Sequence, residues 1–396
     1  MVKTKEWFII NGHIYTGENQ IPNGYIHIVD GKIAEMGPME SAPSHMENYF
    51  DAAGQRIVPG FIDVHIHGVG GADTMDATDE AYQTMASFLP QEGTTSFLAT
   101  TATQSIEAIE RALAGVAHYR EENEQIGVAE MLGVHLEGPF LNPSKAGAQH
   151  PSFIQDPNIE LFEKWRGLSD DCIKLVTLAP ERENGYAFIE YLAQNGIIAS
   201  IGHSDATYDE VKEAIAKGLS HATHLYNAMR PLHHRDPGVV GAALLHRELT
   251  AELIADGIHV HPMMLEHAIQ SKGVDRIVLI TDSMRAKCLK SGTYDLGGQE
   301  VFVEDNKATL GDGTLAGSVL RMKDAVKLIS NETSFSLEDA IQFTSVNPAK
   351  ELGIFNRKGS LAVGKDADVV VLDSQFDVQL TFCRGEVAYS RKGVKS

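Results

Sequence analysis

Cysteine is scarce in this chain, with three among 396 residues, at positions 172, 288 and 383. They are odd in number, widely spaced and without a C-x-x-C pair, which argues against both a disulfide framework and a thiolate zinc site. Because free thiols persist in reducing compartments, we expect a cytoplasmic protein.

Long hydrophobic runs are also missing. No apolar stretch reaches the roughly 18 residues that a membrane-spanning helix needs. The apolar run near the start, Trp7 to Ile10, is too short for the hydrophobic region of a signal peptide. We therefore expect no membrane association.

Positive charge is in deficit. Lys and Arg total 33 against 54 Asp and Glu, giving a formal net charge of −21, which argues against nucleic acid and anionic membranes as partners. With 43% hydrophobic and 22% charged residues, the composition is that of a folded globular protein. The length of 396 residues suits a large barrel domain with a small second domain.

Both ends of the chain have a β-like pattern. Residues 1–58 contain short apolar runs between the turn signals Asn11-Gly12, Asn23-Gly24 and Asp30-Gly31. From residue 356 the runs VVVLD and VQLTF are again separated by polar turns. We predict one small β-sandwich domain from residues 1–58 plus 356–396, with a barrel of residues 59–355 inserted between its halves.

Eight short apolar runs alternate with helix-like segments in the middle region. The runs are FIDVHIH (61–67), TTSFLATT (94–101), LGVHLEG (132–138), IKLVTLAP (173–180), IIASIGH (197–203), SHATHLYN (220–227), TAELIADGIH (250–259) and RIVLITD (276–282). The helix after the fifth run has Ser204 or Asp205 as a plausible N-cap and ends at Gly218. This alternation predicts an α/β fold, a (β/α)8 TIM-type barrel, with an open doubly wound sheet as the alternative.

Polar side chains lie where several of these strands end, which is where barrel enzymes place their chemistry. In the first run, His65 and His67 share one face by the strand period of two. Such a pair can bind a metal ion, although buried core histidines are the alternative. In the third run, His135 and Glu137 share a face, and a buried carboxylate requires an ion pair or a metal.

Three further runs add candidate ligands. The fifth ends in His203 and the eighth in Asp282, while the sixth contains His221 and His224. Residues three apart lie on opposite faces of a strand, so we expect at most one of His221 and His224 to point inward. The alternation does not decide which of the two it is. Nitrogen and oxygen ligands suit zinc, iron, manganese or cobalt. A closed structural metal site needs only four protein ligands, and these runs offer more than four. The larger number of candidate ligands favours a catalytic centre with one or two ions.

Several segments carry a family resemblance that extends from about residue 57 to 370. Together with the strand-1 H-x-H, they resemble the amidohydrolase superfamily, and especially its branch that deacetylates phosphorylated amino sugars. The segments are HLEGPFLNPSKAGAQ, SIGHSDAT, THLYNAM, HHRDPG, ADGIHV, LITDSMRA, DGTLAGS and the tail GSLAVGKDADVVVLD.

The resemblance implies two neighbouring metal sites. The implied ligands are His65, His67 and Asp282 for one ion, and Glu137, His203 and His224 for the other. On this basis His224, rather than His221, is the ligand from the sixth strand. Many members bridge their metals with a carboxylated lysine, but the fourth run has no lysine at its end, so Glu137 would substitute.

The resemblance also implies a set of substrate contacts. They are Gln149, Asn227, Ala228, Arg235, His259 and Leu315. Gln149 stands where some relatives carry a histidine, and with His150 next to it, which of the two touches substrate is open. Arg235 suits a phosphate because its guanidinium can bond in bidentate fashion, the alternative being a solvated side chain paired to Asp236. A homodimer is implied as well, in which Arg235 reaches the partner's site.

The implied reaction is metal-dependent hydrolysis of the acetamide of N-acetyl-D-glucosamine 6-phosphate. Asp282 would accept a proton from water and pass it to the departing amine, with His259 assisting at the oxyanion. One alternative is another amidohydrolase, a cyclic amidase or dipeptidase, which would share the metal ligands but lack HHRDPG and LYNAM. The other is a non-catalytic paralogue, which would be expected to lose metal ligands.

Overall fold

The computed structural model describes residues 6–391. Residues 1–5 and 392–396, the outermost parts of the predicted small domain, lie outside the described residues. Within the described range, no helix combines the length and the apolar character needed to cross a membrane.

The N-terminal strands are longer than the turn signals suggested. They are β1 (Glu6–Tyr15), β2 (Gln20–Val29), β3 (Lys32–Pro38), β4 (Tyr49–Asp51) and β5 (Arg56–Pro59). Asp30-Gly31 is a turn between β2 and β3, but the turns predicted at Asn11-Gly12 and Asn23-Gly24 are wrong, since both pairs lie inside strands. The β1–β2 register shifts on each side of Gly12, and Asn11 has a φ of 57°. This irregularity is a β-bulge, which uses the same residue types as a turn.

Eight parallel strands form the barrel, and each overlaps one of the predicted apolar runs. They are β6 (Phe61–Ile66), β9 (Thr94–Thr101), β10 (Glu130–Glu137), β11 (Ile173–Leu178), β12 (Ile198–Ile201), β13 (His221–Ala222), β14 (Thr250–Ile254) and β15 (Ile277–Ile280), and a hairpin of β7 (Gly68–Val69) and β8 (Ala72–Asp73) follows β6. Each barrel strand pairs with the next along the chain, whereas a doubly wound sheet reverses its order. The Asp282 N–H donates to the His65 carbonyl at 2.8 Å and so connects the segment after β15 to β6. The barrel prediction is confirmed.

Helices connect the barrel strands. They are α1 (Asp79–Phe88), α2 (Ile106–His118), α3 (Ile159–Leu168), α4 (Gly185–Gln194), α5 (Tyr208–Ala216), α6 (Gly238–Leu245), α7 (Pro262–Lys272) and α8 (Met322–Glu332), followed by α9 (Leu337–Ile341) and α10 (Asn347–Glu351). The N-cap predicted for α5 is wrong, because the cap is Thr207. Its hydroxyl accepts the Glu210 N–H at 3.3 Å, and the Glu210 carboxylate accepts the Thr207 N–H at 2.7 Å, which forms a capping box.

An insertion that the sequence pattern did not predict follows β15. It is an antiparallel sheet of β16 (Gly292–Leu296), β17 (Gln299–Glu304) and β18 (Lys307–Thr309). A small apolar core of its own, which includes Met284, Leu296 and Val301, holds it together.

The last strands complete the small domain. They are β19 (Val369–Leu372), β20 (Val378–Cys383) and β21 (Glu386–Ser390). The sheet order is β21-β20-β19-β5-β1-β2-β3, with β4 beside β1, so both ends of the described chain form one continuous sheet with its own core of isoleucines and valines. The β-rich domain built from both ends is confirmed, while the predicted boundaries at 58/59 and 355/356 stay a prediction.

Candidate metal centre and substrate pocket

Six predicted ligand side chains converge at the C-terminal end of the barrel. His65 and His67 lie in or directly after β6, Glu137 ends β10, and His203, His224 and Asp282 follow β12, β13 and β15. The Glu137 carboxylate is the common neighbour: its Oε1 lies 3.2 Å from His203 Nε2 and 3.1 Å from His224 Nε2, and its Oε2 lies 3.1 Å from His67 Nε2.

The second carboxylate, Asp282, faces the β6 histidines. Its Oδ1 is 3.3 Å from His67 Nε2 and 3.5 Å from His65 Nε2. In each of the two expected ligand sets, one ligand atom from every member lies within 4.8 Å of the others; the sets are His65, His67 and Asp282, and Glu137, His203 and His224. The structure therefore brings together both ligand sets expected from the sequence.

The donors fit a divalent metal ion. Nε2 of the fully buried His65 has no hydrogen-bond partner among residues 6–391, although a buried polar atom is ordinarily satisfied. The other ring nitrogen, Nδ1, lies 2.9 Å from a carboxylate oxygen of Glu252. A metal-ligating histidine usually has one ring nitrogen hydrogen-bonded to a carboxylate, while the other nitrogen points at the metal. His65 has this arrangement, with Nε2 pointing at the cluster.

The electrostatics of the cluster favour positive charge. Burial alone would lower the pKa of His67, but hydrogen bonds to Asp282 and Glu137 raise it to about 10. Burial alone would raise the pKa of Glu137, but the charge of His65 and the hydrogen bond from His203 hold it well below its ordinary value. A divalent cation provides such positive charge while the imidazoles remain neutral ligands.

The backbone is strained at three of these ligands. His203, His224 and Asp282 have φ values of 48°, 31° and 47°, in the left-handed region that residues other than glycine rarely adopt. Strain of this kind clusters at functional sites, where the surrounding structure maintains it. Here it turns the chain sharply where β12, β13 and β15 have ended.

The sixth strand shows why the alternation rule left the choice of histidine open. β13 ends at Ala222, so the period of two does not extend to His224. His224 reaches Glu137, whereas Nε2 of His221 lies 3.1 Å from Glu252. Both histidines are buried in the barrel interior. The expectation that at most one of them points inward is therefore wrong.

A cavity of about 330 Å³ adjoins the cluster. Predicted substrate residues in its lining are Gln149, Asn227, Ala228, His259 and Leu315. The Gln149 side chain donates to Glu137 at 2.6 Å and accepts the Thr103 N–H at 2.7 Å, while His150 also lines the cavity. Asp256 holds Nδ1 of His259 at 2.7 Å, which leaves the Nε2 of that ring available to a ligand.

Arg235 lies apart from this cavity. In the described chain its side chain is exposed and is not part of the lining, and its Nη1 is 2.7 Å from His234 Nε2. The alternative partner, Asp236, is bound instead by Arg230 at 2.8 Å. The structure thus does not bring Arg235 to the pocket of its own chain.

Sequence reasoning missed three contributors to the site. Glu252 lies in β14 beneath the ligands, and Thr103 and the β16–β17 turn at Leu296 and Gly297 line the cavity. The signal for Glu252 was available, since a carboxylate inside the apolar run TAELIAD calls for a buried partner as much as Glu137 does. For the turn, the signal was Gly297-Gly298, a dipeptide typical of two-residue β-hairpin connections.

Comparison with known proteins agrees with this site and fold. The amidohydrolase family matches residues 56–388, and the chain belongs to that family. Among its relatives, N-acetylglucosamine-6-phosphate deacetylase of Bacillus subtilis (strain 168) is 48% identical over 381 residues, which cover 96% of each chain. N-acetylgalactosamine-6-phosphate deacetylase of Escherichia coli O157:H7 is 35% identical over 375 residues, covering 95% of this chain and 97% of that one.

A solved structure of a sugar-phosphate deacetylase is also similar to this chain. It is a variant of N-acetyl-D-glucosamine-6-phosphate deacetylase from Mycobacterium smegmatis in complex with N-acetyl-D-glucosamine-6-phosphate. The match has a TM-score of 0.91 and 31% identity, and it covers 98% of this chain and 100% of that chain. Within the amidohydrolase family, the similarity is therefore to the sugar-phosphate deacetylases.

Proposed function

We propose that this protein hydrolyses N-acetyl-D-glucosamine 6-phosphate to D-glucosamine 6-phosphate and acetate. The observation that carries the proposal is the convergence of six histidine and carboxylate side chains, with Glu137 at their centre, beside a cavity of substrate size. The names of the relatives support the substrate, since the Bacillus subtilis relative at 48% identity is a deacetylase of this sugar phosphate.

The proposed cofactor is one or two divalent ions, of zinc, iron, manganese or cobalt. His65, His67 and Asp282 would hold one, and Glu137, His203 and His224 the other. When bound, the ion supplies Lewis-acid chemistry, polarising the amide carbonyl and making water a stronger acid.

Asp282 is the proposed general acid–base group. Burial raises its pKa, but the charge of His65 and the hydrogen bond from His67 lower it overall, so the carboxylate is ionised at neutral pH and can accept a proton. It takes the proton of the attacking water and returns it to the amide nitrogen as the carbon–nitrogen bond breaks. His259, whose Nδ1 lies 2.7 Å from Asp256, would contact the oxygen on which charge develops, where only a doubly protonated ring has the Nε2–H needed to donate a hydrogen bond.

Substrate binding is assigned to the cavity lining and to a second subunit. Gln149 or His150, Asn227, Ala228 and Leu315 would contact the sugar.

Arg235 would bind the phosphate of a substrate held in the neighbouring subunit of a homodimer. Its exposure and its absence from the lining of its own pocket support action across an interface, as does Leu232, which lies three residues earlier with 54% of its surface exposed. The proposed location is the cytoplasm, which suits three cysteines without a disulfide partner in the described chain.

A substrate panel tests the proposal. Acetate release would be measured from N-acetylglucosamine 6-phosphate, its galactosamine epimer, unphosphorylated N-acetylglucosamine and a dipeptide. We expect the highest kcat/KM for the first and at least about tenfold less without the phosphate, since charge-assisted hydrogen bonds contribute about 1.5–3 kcal/mol. Faster turnover of the epimer, or equal turnover of the unphosphorylated sugar, would contradict the proposed substrate.

A further inference from the structure

A line of buried polar side chains runs from the ligand cluster through the barrel interior. Nδ1 of His65 lies 2.9 Å from one oxygen of Glu252, whose other oxygen lies 3.1 Å from Nε2 of His221. Nδ1 of His221 in turn lies 2.7 Å from Glu351 in α10. The side chains of His65, Glu252 and His221 have no exposed surface, while that of Glu351 is 16% exposed.

Glu252 is also bonded to a second member of the cluster. Its Oε2 accepts the backbone N–H of His224 at 3.0 Å, at the residue whose φ is 31°. One carboxylate therefore contacts one ligand through its ring and another through its strained backbone.

A fully buried carboxylate loses its hydration and is retained only where its hydrogen bonds compensate. Glu252 has three such bonds, all to histidines that belong to or support the cluster. When neutral, a histidine has one protonated ring nitrogen, and the partner of that nitrogen decides which one it is. A carboxylate on Nδ1 places the proton there and leaves the Nε2 lone pair of His65 directed at the cluster.

We propose that Glu252 is the positioning residue of the metal centre. It fixes the tautomer and orientation of His65 and supports the backbone of His224, and His221 and Glu351 hold Glu252 in place. The inference rests on the proposed function, because it requires that His65 ligates a metal ion.

A different role for the same residues would be a third ion site. One ligand atom each from His65, His135 and Glu252 lie within 4.8 Å of one another. However, the 2.9 Å between His65 Nδ1 and the Glu252 oxygen is the distance of a direct hydrogen bond. We therefore assign this group to hydrogen bonding, and saturation with three ions per chain would overturn the assignment.

Zinc affinity is the first test. The dissociation constant of Zn²⁺ would be measured by competition with a chromophoric chelator, using metal-free wild type, Glu252→Gln and Glu351→Gln. We expect Glu252→Gln to weaken binding by about 10- to 100-fold, as loss of a carboxylate behind a ligating histidine typically does. Glu351→Gln acts two contacts further from the ligand, through His221 and Glu252, and should weaken binding less, in the same direction.

Glu92→Gln is the matched control. Glu92 is also a buried barrel carboxylate, but its partner is Lys287, at 2.6 Å. We expect this variant to lose stability and to keep its zinc affinity. Equal weakening by Glu92→Gln would overturn the proposal, because the effect would then follow from any lost buried charge.

Histidine nitrogen NMR gives a readout that general destabilisation does not mimic. With metal on Nε2, His65 carries its proton on Nδ1, and in the wild type that Nδ1–H should show the downfield proton shift of a hydrogen bond to the Glu252 carboxylate, which Glu252→Gln should lose. Wild-type affinity together with a wild-type Nδ1–H shift in a folded Glu252→Gln protein would overturn the inference and leave the proposed function intact. If that variant fails to fold, unchanged affinity in Glu351→Gln would overturn the inference. A wild-type protein that binds no zinc, iron, manganese or cobalt would overturn the proposed function itself.

Discussion

At the scale of single residues, Glu137 organises the site. It ends β10 and lies within 3.2 Å of the Nε2 atoms of His67, His203 and His224. The resemblance to the amidohydrolases implies a bridging role for Glu137, because the fourth run has no lysine at its end. Glu137 contacts both ligand sets, and Asp282, which lines the pocket, is the proposed proton acceptor.

Replacement of Asp282 by Asn should remove chemistry more than substrate binding. Asn is nearly isosteric but cannot accept the proton, so we expect kcat to fall by a factor on the order of 10² to 10⁴. Steady-state kinetics with metal content measured on the same sample check this. Asp305→Asn, at an exposed turn between β17 and β18, is the control and should retain wild-type kcat. A metal-loaded Asp282→Asn protein that loses less than tenfold would exclude Asp282 as the base.

How far the sequence predicts the residues of the site depends on where each lies relative to a strand. His65, His67 and Glu137 follow the period of two because they lie in or next to regular strands. His224 follows a strand that has already ended, so its direction depends on a strained loop and only the family resemblance selected it. Glu252 was missed because its role depends on partners far apart in sequence, His65 and His221.

At the scale of secondary structure elements, the barrel strands were predictable because parallel strands are buried on both faces and appear as continuous apolar runs. Each of the eight runs overlaps a strand. The wrong turn predictions come from residue types that occur in both turns and β-bulges. Asn11-Gly12, for example, was predicted as a turn and forms a bulge. The β16–β18 sheet was not predicted because β16 is short and mostly exposed, although β17 does alternate, with Val301 and Val303 buried.

A charged cluster connects β10 to the segment that leads into β19. Arg357 and Lys358 bind the Glu130 carboxylate at 2.8 and 2.7 Å, and Lys358 also binds Asp368 at 2.5 Å. Burial raises the pKa of Glu130, but these hydrogen bonds and charges lower it to about 2. A lowered folded-state pKa contributes stability above the unfolded value of about 4.3, and this is lost as pH falls through about 2.

We therefore expect Glu130→Gln to reduce the acid sensitivity of unfolding. Up to about 3 kcal/mol of the wild-type free energy of unfolding should disappear between pH 5 and pH 2 through this group. Urea unfolding of both proteins across about pH 2 to 7 measures the difference. Glu163→Gln removes a carboxylate that is 53% exposed, and this control should leave the pH profile unchanged. Parallel wild-type and Glu130→Gln profiles would contradict the account.

At the scale of the whole molecule, an acidic protein has to attract an anionic substrate. With a net charge of −21, the long-range field opposes a phosphate, so a local cation is needed. Arg235 is the candidate cation. Because it is exposed and does not line its own pocket, the proposal that it binds the phosphate requires a homodimer.

Co-expression of two defective chains tests whether Arg235 acts in the partner's site. Arg235→Ala should raise KM for the sugar phosphate by about tenfold or more, with Arg235→Lys recovering part of the loss. When Arg235→Ala and Asp282→Asn chains form hybrid dimers, one site of each hybrid has both an intact Asp282 and an Arg235 from its partner. The activity should then exceed the sum of the two separate variants.

The control for this experiment is Arg247→Ala. Arg247 is an arginine with 66% of its side chain exposed that pairs with Asp275, and its removal should leave KM unchanged. If hybrids show only the sum of the separate activities, Arg235 does not act in trans. An equal loss on phosphorylated and unphosphorylated sugars would assign it to assembly and not to phosphate recognition.

The most direct test of the central claim is the rate of acetate release from N-acetylglucosamine 6-phosphate by one preparation before and after metal removal. The ligand cluster predicts that chelation to undetectable metal content abolishes turnover and that added zinc, iron, manganese or cobalt restores it. Full activity in protein shown by elemental analysis to contain no metal would contradict the account.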